Sequence, residues 1–309
     1  MATNGLKGYT FHKLAIDIIG KTTGTKPSIC DNTDSLFVDI YHKLLDKSSF
    51  KKSIVEYFID YQTNEADWEQ RKNERREQLS GLKNVQLKAM FPDMDGRAIY
   101  VRSEQEQKIC FALSSLGVKF RYEEPYEHQL ADEMHSQYRP DFSIYFKQGG
   151  VTKRIYLEHF GVDEHGLVPA WFAKDKGITY EEANQKYNDG ITWKKTAHEK
   201  FGTQLLVTSS ADFHYSDIRD KLRKLLAEAG VPIQEKTDEE LYDLVLPKGS
   251  KQEKAFIRLV VTFVTLVKSS CKSVKEVLKQ AKNADDERSV FIIKNISVSY
   301  THLRAHETT

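Results

Sequence analysis

The feature that most constrains the fold is a pair of apolar segments that each carry one acidic residue. The segments cover residues 138–146 and 154–161, and Gly149-Gly150 separates them. Aromatic and β-branched residues on both sides of a short glycine turn predict a β-hairpin. Asp141 opens the first predicted strand, and Glu158 lies near the end of the second. In an antiparallel pair these positions meet at one edge of the sheet, so the sequence predicts two neighbouring carboxylates.

Two converging carboxylates indicate a site for a divalent metal ion. Oxygen ligands on rigid strands suit Mg²⁺ or Mn²⁺, and Mg²⁺ binds through one or two protein carboxylates plus substrate phosphate. Phosphodiester cleavage is the reaction that such an arrangement serves best. Each residue alone also has an ordinary explanation, since Asp141 follows Pro140 as a turn residue would and Glu158 could face water at a strand end.

The elements around the hairpin follow from the spacing of apolar residues. A helix capped by Ser103 ends at Gly117, and residues 118–123 alternate as a strand. A polar helix over residues 180–200 and a buried strand over residues 204–208 follow the hairpin. The predicted order is therefore helix, three strands, helix, strand, which belongs to the α/β class.

This order, with Pro-Asp on the second strand and Glu on the third, resembles the PD-(D/E)xK nuclease superfamily over residues 102–215. The resemblance implies a mixed sheet with the order α-β-β-β-α-β. It also implies that Asp141 and Glu158 bind the metal and that Glu106, on the first helix, completes or orients the site as a third acid. The sequence departs from the family pattern at one position, because Phe160 stands where the motif has its lysine.

The missing lysine has two candidate replacements. Some members of this superfamily supply the lysine from the following helix, and that helix carries Lys194 and Lys195 here. The resemblance therefore implies that Lys194 or Lys195 acts on the attacking water or on the phosphate. If neither lysine reaches the acids, the module binds DNA without cutting it. His159 alternates to the strand face opposite Glu158, which predicts a packing or surface role.

A second resemblance concerns the flanks of this module. Residues 10–15, Thr-Phe-His-Lys-Leu-Ala, look like the TFHxxA segment of UvrD/Rep-type superfamily-one DNA helicases. Together with residues 122–126 and 193–208, they resemble the bacterial helicase IV-like group, in which a nuclease-like domain interrupts the first helicase half. The resemblance implies an ATP-dependent helicase that moves on single-stranded DNA, with Thr10 and His12 near the DNA track.

The same resemblance predicts that the chain is an internal fragment of a longer helicase. Neither an ATP-binding loop nor the Walker B acids occur in these residues, so ATP is expected only in the full-length protein. We expect residues 1–96 and 216–296 to be helical segments of the first helicase domain and residues 97–215 to be the insert. Residues 297–309 look like the translation of a sequencing adaptor, so their histidines are not metal candidates.

A row of lysines forms the strongest basic patch in the chain. The spacings of four, three, four and three predict one helical face for Lys268, Lys272, Lys275, Lys279 and Lys282. Contact with DNA phosphates and simple solvation are both open. A stripe without interleaved aromatic residues carries no signal for reading bases.

Composition and charge limit the class of protein but do not determine its function. The net charge of +1 over 309 residues gives no overall attraction for nucleic acid, so DNA binding has to come from local patches. No apolar run approaches the roughly 20 residues of a membrane span. The three cysteines lack the paired spacing of a zinc site. We expect a cytoplasmic protein without a membrane contact, whose partner is single-stranded or junction DNA.

Two other functions stay open at this point. The insert could be a non-catalytic DNA-binding module that helps the helicase grip or separate strands. The chain could also be a free-standing restriction-type endonuclease whose helical flanks form a recognition or dimer domain. An uninterrupted gene with an ATP-binding loop upstream and Walker B acids downstream would favour the helicase.

Overall fold

A computed structural model describes most of the chain. The described residues are 10–26, 33–61, 87–131, 136–215, 217–270, 272–283 and 287–297. The predictions for residues 298–309 of the adaptor-like tail and for the side chains of His12 and Lys268 lie outside them. Among the described helices, none combines the length and the apolar character that a membrane span requires.

Three helices open the described part of the chain. α1 spans Phe11–Thr23, and the hydroxyl of Thr10 caps it by accepting a hydrogen bond from the backbone N–H of Lys13. α2 spans Thr33–Leu45 and α3 spans Ser48–Tyr61. Apolar residues at spacings of three and four give α2 and α3 the buried faces that pack in the helical core described below.

A four-stranded mixed sheet occupies the middle of the chain. It follows a two-stranded ladder of β1 (Leu87–Lys88) and β2 (Tyr100–Val101). The next elements are α4 (Glu104–Ser115), β3 (Lys119–Tyr122), β4 (Phe142–Gln148), β5 (Val151–Phe160), α5 (Ala170–Lys176), α6 (Tyr180–Phe201), β6 (Leu205–Ser209), α7 (Asp212–Tyr215) and α8 (Ile218–Glu228).

The strand order is β3-β4-β5-β6. β3, β4 and β5 are antiparallel to one another, whereas β6 runs parallel to β5. The crossover that a parallel neighbour needs is supplied by α5 and α6. The α/β class is thereby confirmed, and the observed order of elements matches the predicted order with the short α5 added.

The two faces of β5 pack against different helices. Ile155 and Leu157 belong to the apolar core that α4 and α8 share with the sheet. Tyr156 and Phe160 point to the other face, where they pack among side chains from α6. Side chains alternate along a strand, so both faces of β5 are buried from Ile155 to Phe160. The sheet is thus the middle layer of a three-layer unit.

The helices after the sheet are α9 (Asp238–Val245), α10 (Lys251–Ser269), α11 (Val274–Asn283) and α12 (Glu287–Phe291), followed by a π-helical turn over Ile292–Ser297. α9 and α10 form a second apolar core with α2 and α3 from the beginning of the chain, for example through Ile40, Ile54, Leu241 and Phe256. The sheet unit therefore lies, in sequence, between the two halves of one helical cluster.

The core around the sheet extends past the range predicted for the insert. Leu87 and Ala89 precede residue 97, and Leu222 and Val231 follow residue 215, yet all four are buried in this core. α8 consequently covers the sheet and does not join the helical cluster. The division into helicase segments and insert itself stays a prediction.

The prediction that the row of lysines shares one helical face is wrong. α10 ends at Ser269 and α11 begins at Val274, so the row is divided after Lys268. The cause is a capping box, in which the hydroxyl of Ser273 accepts a hydrogen bond from the N–H of Glu276. The carboxylate of Glu276 in turn accepts one from the N–H of Ser273, which starts a new helix.

The remaining lysines of the row lie on different elements. Lys275, Lys279 and Lys282 keep their helical spacing on α11. Lys272 lies in the connection before α11, and its ammonium donates a hydrogen bond to Oε1 of Gln280 at 3.0 Å. A contact of these lysines with DNA phosphates stays a prediction, but it can no longer rest on a single continuous stripe.

Gly117 tests the packing between the end of α4 and the segment after α8. Its φ is +70°, and an added Cβ would lie 2.2 Å from the backbone oxygen of Gln234. Gly117→Ala should lower the free energy of unfolding by about 3 kcal/mol, because left-handed strain and steric overlap with backbone add together. Urea unfolding followed by circular dichroism measures the loss.

Gly149→Ala is the matched control for this substitution. Gly149 has a φ of +59°, but no atom lies within 4 Å of the added Cβ. Only the left-handed strain of roughly 1–2 kcal/mol should appear. Equal losses of unfolding free energy in the two variants would show that the close approach of Gln234 does not affect stability.

Candidate active site

The beginning of β4 and the end of β5 bring two predicted site residues together. The antiparallel register ends with Phe142 opposite Leu157. Continuing it by one position sets Asp141 opposite Glu158. Residues directly opposite each other in an antiparallel pair project from the same face of the sheet. Both carboxylates therefore lie on the face that α6 covers.

Asp141 is a carboxylate in a place with little water. Its Oδ2 accepts a hydrogen bond from the backbone N–H of His159 at 2.7 Å. Desolvation raises the pKa of Asp141 well above its usual range, and the neighbouring charge of Glu158 raises it further. Among the described residues, none donates a hydrogen bond to Oδ1 of Asp141.

Glu158 is a fully buried carboxylate, with an exposed fraction of 0%. Its Oε1 accepts a hydrogen bond from the hydroxyl of Tyr138 at 2.6 Å. Its Oε2 accepts one from the ammonium of Lys194 at 2.5 Å. A buried carboxylate is tolerated only when it is paired and hydrogen-bonded, and here each oxygen has its own partner.

Lys194 is the partly exposed member of the ion pair with Glu158. Its side chain is 30% exposed, whereas Glu158 is closed off from solvent. Burial alone would lower the pKa of Lys194, but the charges of Glu158 and Asp141 outweigh it and raise the pKa above its usual value. Lys195 is exposed one residue further around α6. Of the two predicted lysines, the structure brings Lys194 to the acids and not Lys195.

Glu106 lies near the same edge, but its carboxylate is already engaged. Oε1 accepts a hydrogen bond from the hydroxyl of Ser103, the cap of α4. Oε2 accepts hydrogen bonds from the N–H of Arg102 at 3.1 Å and from the hydroxyl of Tyr122 at 2.5 Å. The charge of Glu106 still helps to raise the pKa of Asp141, so the two acids are within electrostatic range.

The described residues do not contain a group of three or more histidine, cysteine or acidic side chains arranged as a metal cluster. Asp141 and Glu158 are adjacent, whereas Glu106 is turned toward its own cap and toward Tyr122. Asp141 and Glu158 thus form the nucleus of a two-carboxylate site. A role for Glu106 as a third ligand stays a prediction.

His159 lies on the opposite face of β5 from Glu158 and is buried, as its alternation along the strand indicated. Its Nε2 lies 2.9 Å from Oε1 of Gln105, and its Nδ1 lies 3.1 Å from the hydroxyl of Thr208. Burial lowers the pKa of His159 to about 4, so the ring is neutral at neutral pH. Of the two roles predicted for His159, packing or surface, the structure shows the packing role.

Two residues of the site were not found from the sequence. Tyr138 donates to Glu158, and its hydroxyl also lies 3.1 Å from Nε2 of His198. Burial lowers the pKa of His198 to about 4. The available signal was the spacing on α6, because Lys194 and His198 are four residues apart and share one helical face. Nothing in the local sequence links Tyr138 to either of them.

No model of a protein family matches this chain, and neither does any curated protein or solved structure in the comparisons made with it. The chemistry of the site therefore has to be argued from its own residues.

Replacing Lys194 tests the buried pair. Lys194→Met should lower the free energy of unfolding by about 3 kcal/mol, because Glu158 would remain buried without a counter-charge. Lys195→Met, on the exposed side of the same helix, should change it by less than about 0.5 kcal/mol. Urea unfolding of both variants measures the difference, and similar values for the two would contradict the pairing.

The raised pKa of Asp141 gives a pH dependence of stability. The folded state favours the protonated form of Asp141. This preference stabilises the folded state below the unfolded-state pKa of about 3.9, and the stabilisation is lost as the pH rises through the folded-state pKa. Asp141→Asn stays neutral and can still accept from the N–H of His159. The variant should therefore be more stable than the wild type at pH 7, and the gain should disappear toward pH 4. Urea unfolding at a series of pH values checks this, and a less stable variant at pH 7 would refute it.

Proposed function

We propose that this chain contains a Mg²⁺-dependent nuclease module of the PD-(D/E)xK type that binds DNA and cleaves its phosphodiester bonds. The observation that carries the proposal is the contact between Lys194 and Glu158 beside Asp141. Two carboxylates and one ammonium at the edge of a sheet are the groups that metal-assisted phosphodiester hydrolysis requires.

The order of elements supports this type of fold. α4 precedes three antiparallel strands, and α6 leads to a fourth strand that is parallel to β5. The acids stand at the beginning of the second strand of this sheet and near the end of the third. These are the positions that the resemblance assigns to the metal ligands.

The position of Lys194 supports a replacement for the missing motif lysine. Phe160 stands where the family pattern has a lysine, and Nζ of Lys194 lies 5.6 Å from the centroid of its ring. The ammonium thus lies beside the strand position from which the motif lysine would extend. Because an ammonium has three donors, Lys194 can hold Glu158 and still donate a hydrogen bond to a phosphate oxygen.

The residues present fit a hard divalent cation. Asp141 and Glu158 offer oxygen ligands, and the desolvation and acidic neighbour that raise the pKa of Asp141 are relieved by a positive charge. When bound, Mg²⁺ or Mn²⁺ would neutralise phosphate charge and lower the pKa of a coordinated water. Asp141 and Glu158 would hold the ion, since each oxygen of Glu158 uses one lone pair for its hydrogen bond and keeps a second. Glu106 would orient the edge of the site from α4.

Within this proposal, Lys194 supplies positive charge where the cleaved phosphate becomes more negative. A fixed ammonium in a half-buried place stabilises such charge more strongly than one in water, because the local dielectric constant is lower. The ion pair with Glu158 fixes the ammonium before DNA arrives.

We further propose that the module is an insert in an ATP-dependent DNA helicase of the UvrD/Rep type, and that ATP binds only to the full-length protein. In support, α2 and α3, which precede the module, share one apolar core with α9 and α10, which follow it. That arrangement is what an insertion into an existing helical domain produces.

A second candidate function is a DNA-binding insert without nuclease activity. It is favoured by the full engagement of Glu158, whose two oxygens already have partners, and by the absence of a three-ligand group among the described residues. Such a module would keep its DNA affinity when Asp141 is replaced and would have no cleavage to lose.

Cleavage assays separate the two candidates. The purified chain is incubated with single-stranded, duplex and junction DNA in the presence of Mg²⁺ or Mn²⁺. Asp141→Asn and Lys194→Met should each lower the cleavage rate by about 100-fold or more, because each removes charge from the reacting centre. Affinity for DNA, measured by fluorescence anisotropy, should remain.

Lys195→Met is the matched control in these assays and should cleave as the wild type does. If the wild type cuts none of the three DNA forms with either ion, the enzyme proposal falls and the binding module stands. Recovery of the uninterrupted gene tests the helicase context separately.

A further inference from the structure

A chain of hydrogen bonds leads from the fully buried carboxylate of Glu158 to Thr203, which is half-buried, and to Tyr126. The hydroxyl of Tyr138 donates to Oε1 of Glu158 and lies 3.1 Å from Nε2 of His198. On the other side of the ring, Nδ1 of His198 lies 2.8 Å from the hydroxyl of Thr203. The hydroxyl of Thr203 also contacts that of Tyr126. Five residues from three parts of the chain are linked in this way.

The carboxylate at one end fixes the direction of every bond in the chain. Glu158 only accepts, so Tyr138 uses its single proton on Oε1 and must accept from Nε2–H of His198. A neutral ring protonated at Nε2 is an acceptor at Nδ1, so the hydroxyl of Thr203 donates to it. Tyr126 then has to donate to Thr203. All the donors point toward Glu158.

The chain is enclosed by side-chain packing. Tyr138, His198 and Tyr126 are 5%, 2% and 3% exposed. The ring of Tyr138 packs edge-on against Trp193, with 5.5 Å between centroids. The position of its hydroxyl is therefore set by the core and not by the sheet edge alone.

We propose that Tyr138, oriented by His198, is a positioning residue that reserves one oxygen of Glu158 and thereby confines Lys194 to the other. Without this hydroxyl the carboxylate can rotate and offer both oxygens to the ammonium. Lys194 would then be held by Glu158 and would donate less to a phosphate. The consequence for catalysis rests on the proposed function, whereas the hydrogen-bond chain does not.

The tautomer of His198 tests the chain without reference to DNA. In ¹⁵N-labelled protein, the His198 signals are identified among those of the ten histidines by their absence in His198→Gln. The expected form is protonated at Nε2 and unprotonated at Nδ1. Tyr138→Phe should shift the Nε2 resonance, since it removes the acceptor, whereas Tyr122→Phe, which removes a donor to Glu106, should not. A ring protonated at Nδ1 would overturn the proposal.

Kinetics test the positioning role. Tyr138→Phe keeps the packed ring, and it should lower kcat for DNA cleavage by about 10- to 100-fold while KM for DNA stays the same. Tyr156→Phe, in the same buried cluster but with its hydroxyl bonded to Glu127, should stay within about threefold of the wild type. Equal losses in the two variants would reduce Tyr138 to a structural role.

Failure of the proposed nuclease function and failure of the positioning role of Tyr138 give different results. If the chain cuts no DNA but His198 is protonated at Nε2 and responds to Tyr138→Phe, the proposed nuclease function fails and the control of Glu158 by Tyr138 is upheld. If the chain cuts DNA and the ring is protonated at Nδ1, the nuclease function is upheld and the positioning role is lost.

Discussion

The buried charge of Glu158 is the constraint on which the site depends. A carboxylate on the inner face of a strand costs several kcal/mol unless it has a counter-charge and donors for both oxygens. Lys194 and Tyr138 meet that requirement from α6 and from the segment before β4. On α6, Lys194 is half-buried beside the sheet, whereas Lys195 is exposed.

Asp141 shows the opposite balance, since its charge opposes folding. Desolvation and the acidic neighbour Glu158 raise the pKa of Asp141, and the single hydrogen bond from the backbone N–H of His159 offsets only part of that rise. Ionisable groups that are held in unfavourable surroundings cluster at functional sites, because the strain is relieved by a ligand. The contrast between a fully compensated Glu158 and an only partly compensated Asp141 is the physical basis of the proposed cation site.

The chain forms two separate apolar cores, one in the helical cluster and one around the sheet. α2 and α3 pack with α9 and α10 although the whole sheet unit separates them in sequence. The sheet unit has its own core between α4, α8 and the strands. Each core buries its own apolar residues, so the edge that holds Asp141 and Glu158 does not have to contribute to the helical cluster.

The sequence by itself determined the hairpin, the order of elements and the meeting of Asp141 with Glu158, because alternation along a strand and a short glycine turn fix the register locally. The break in the lysine row was also local, since Ser273 and Glu276 form a capping box that the helical spacing concealed. Only the tertiary structure decided that Lys194 reaches Glu158 and that Tyr138 supports it. Those contacts depend on how α6 lies across the sheet, which is set by packing between residues distant in sequence and not by the pattern of any one segment.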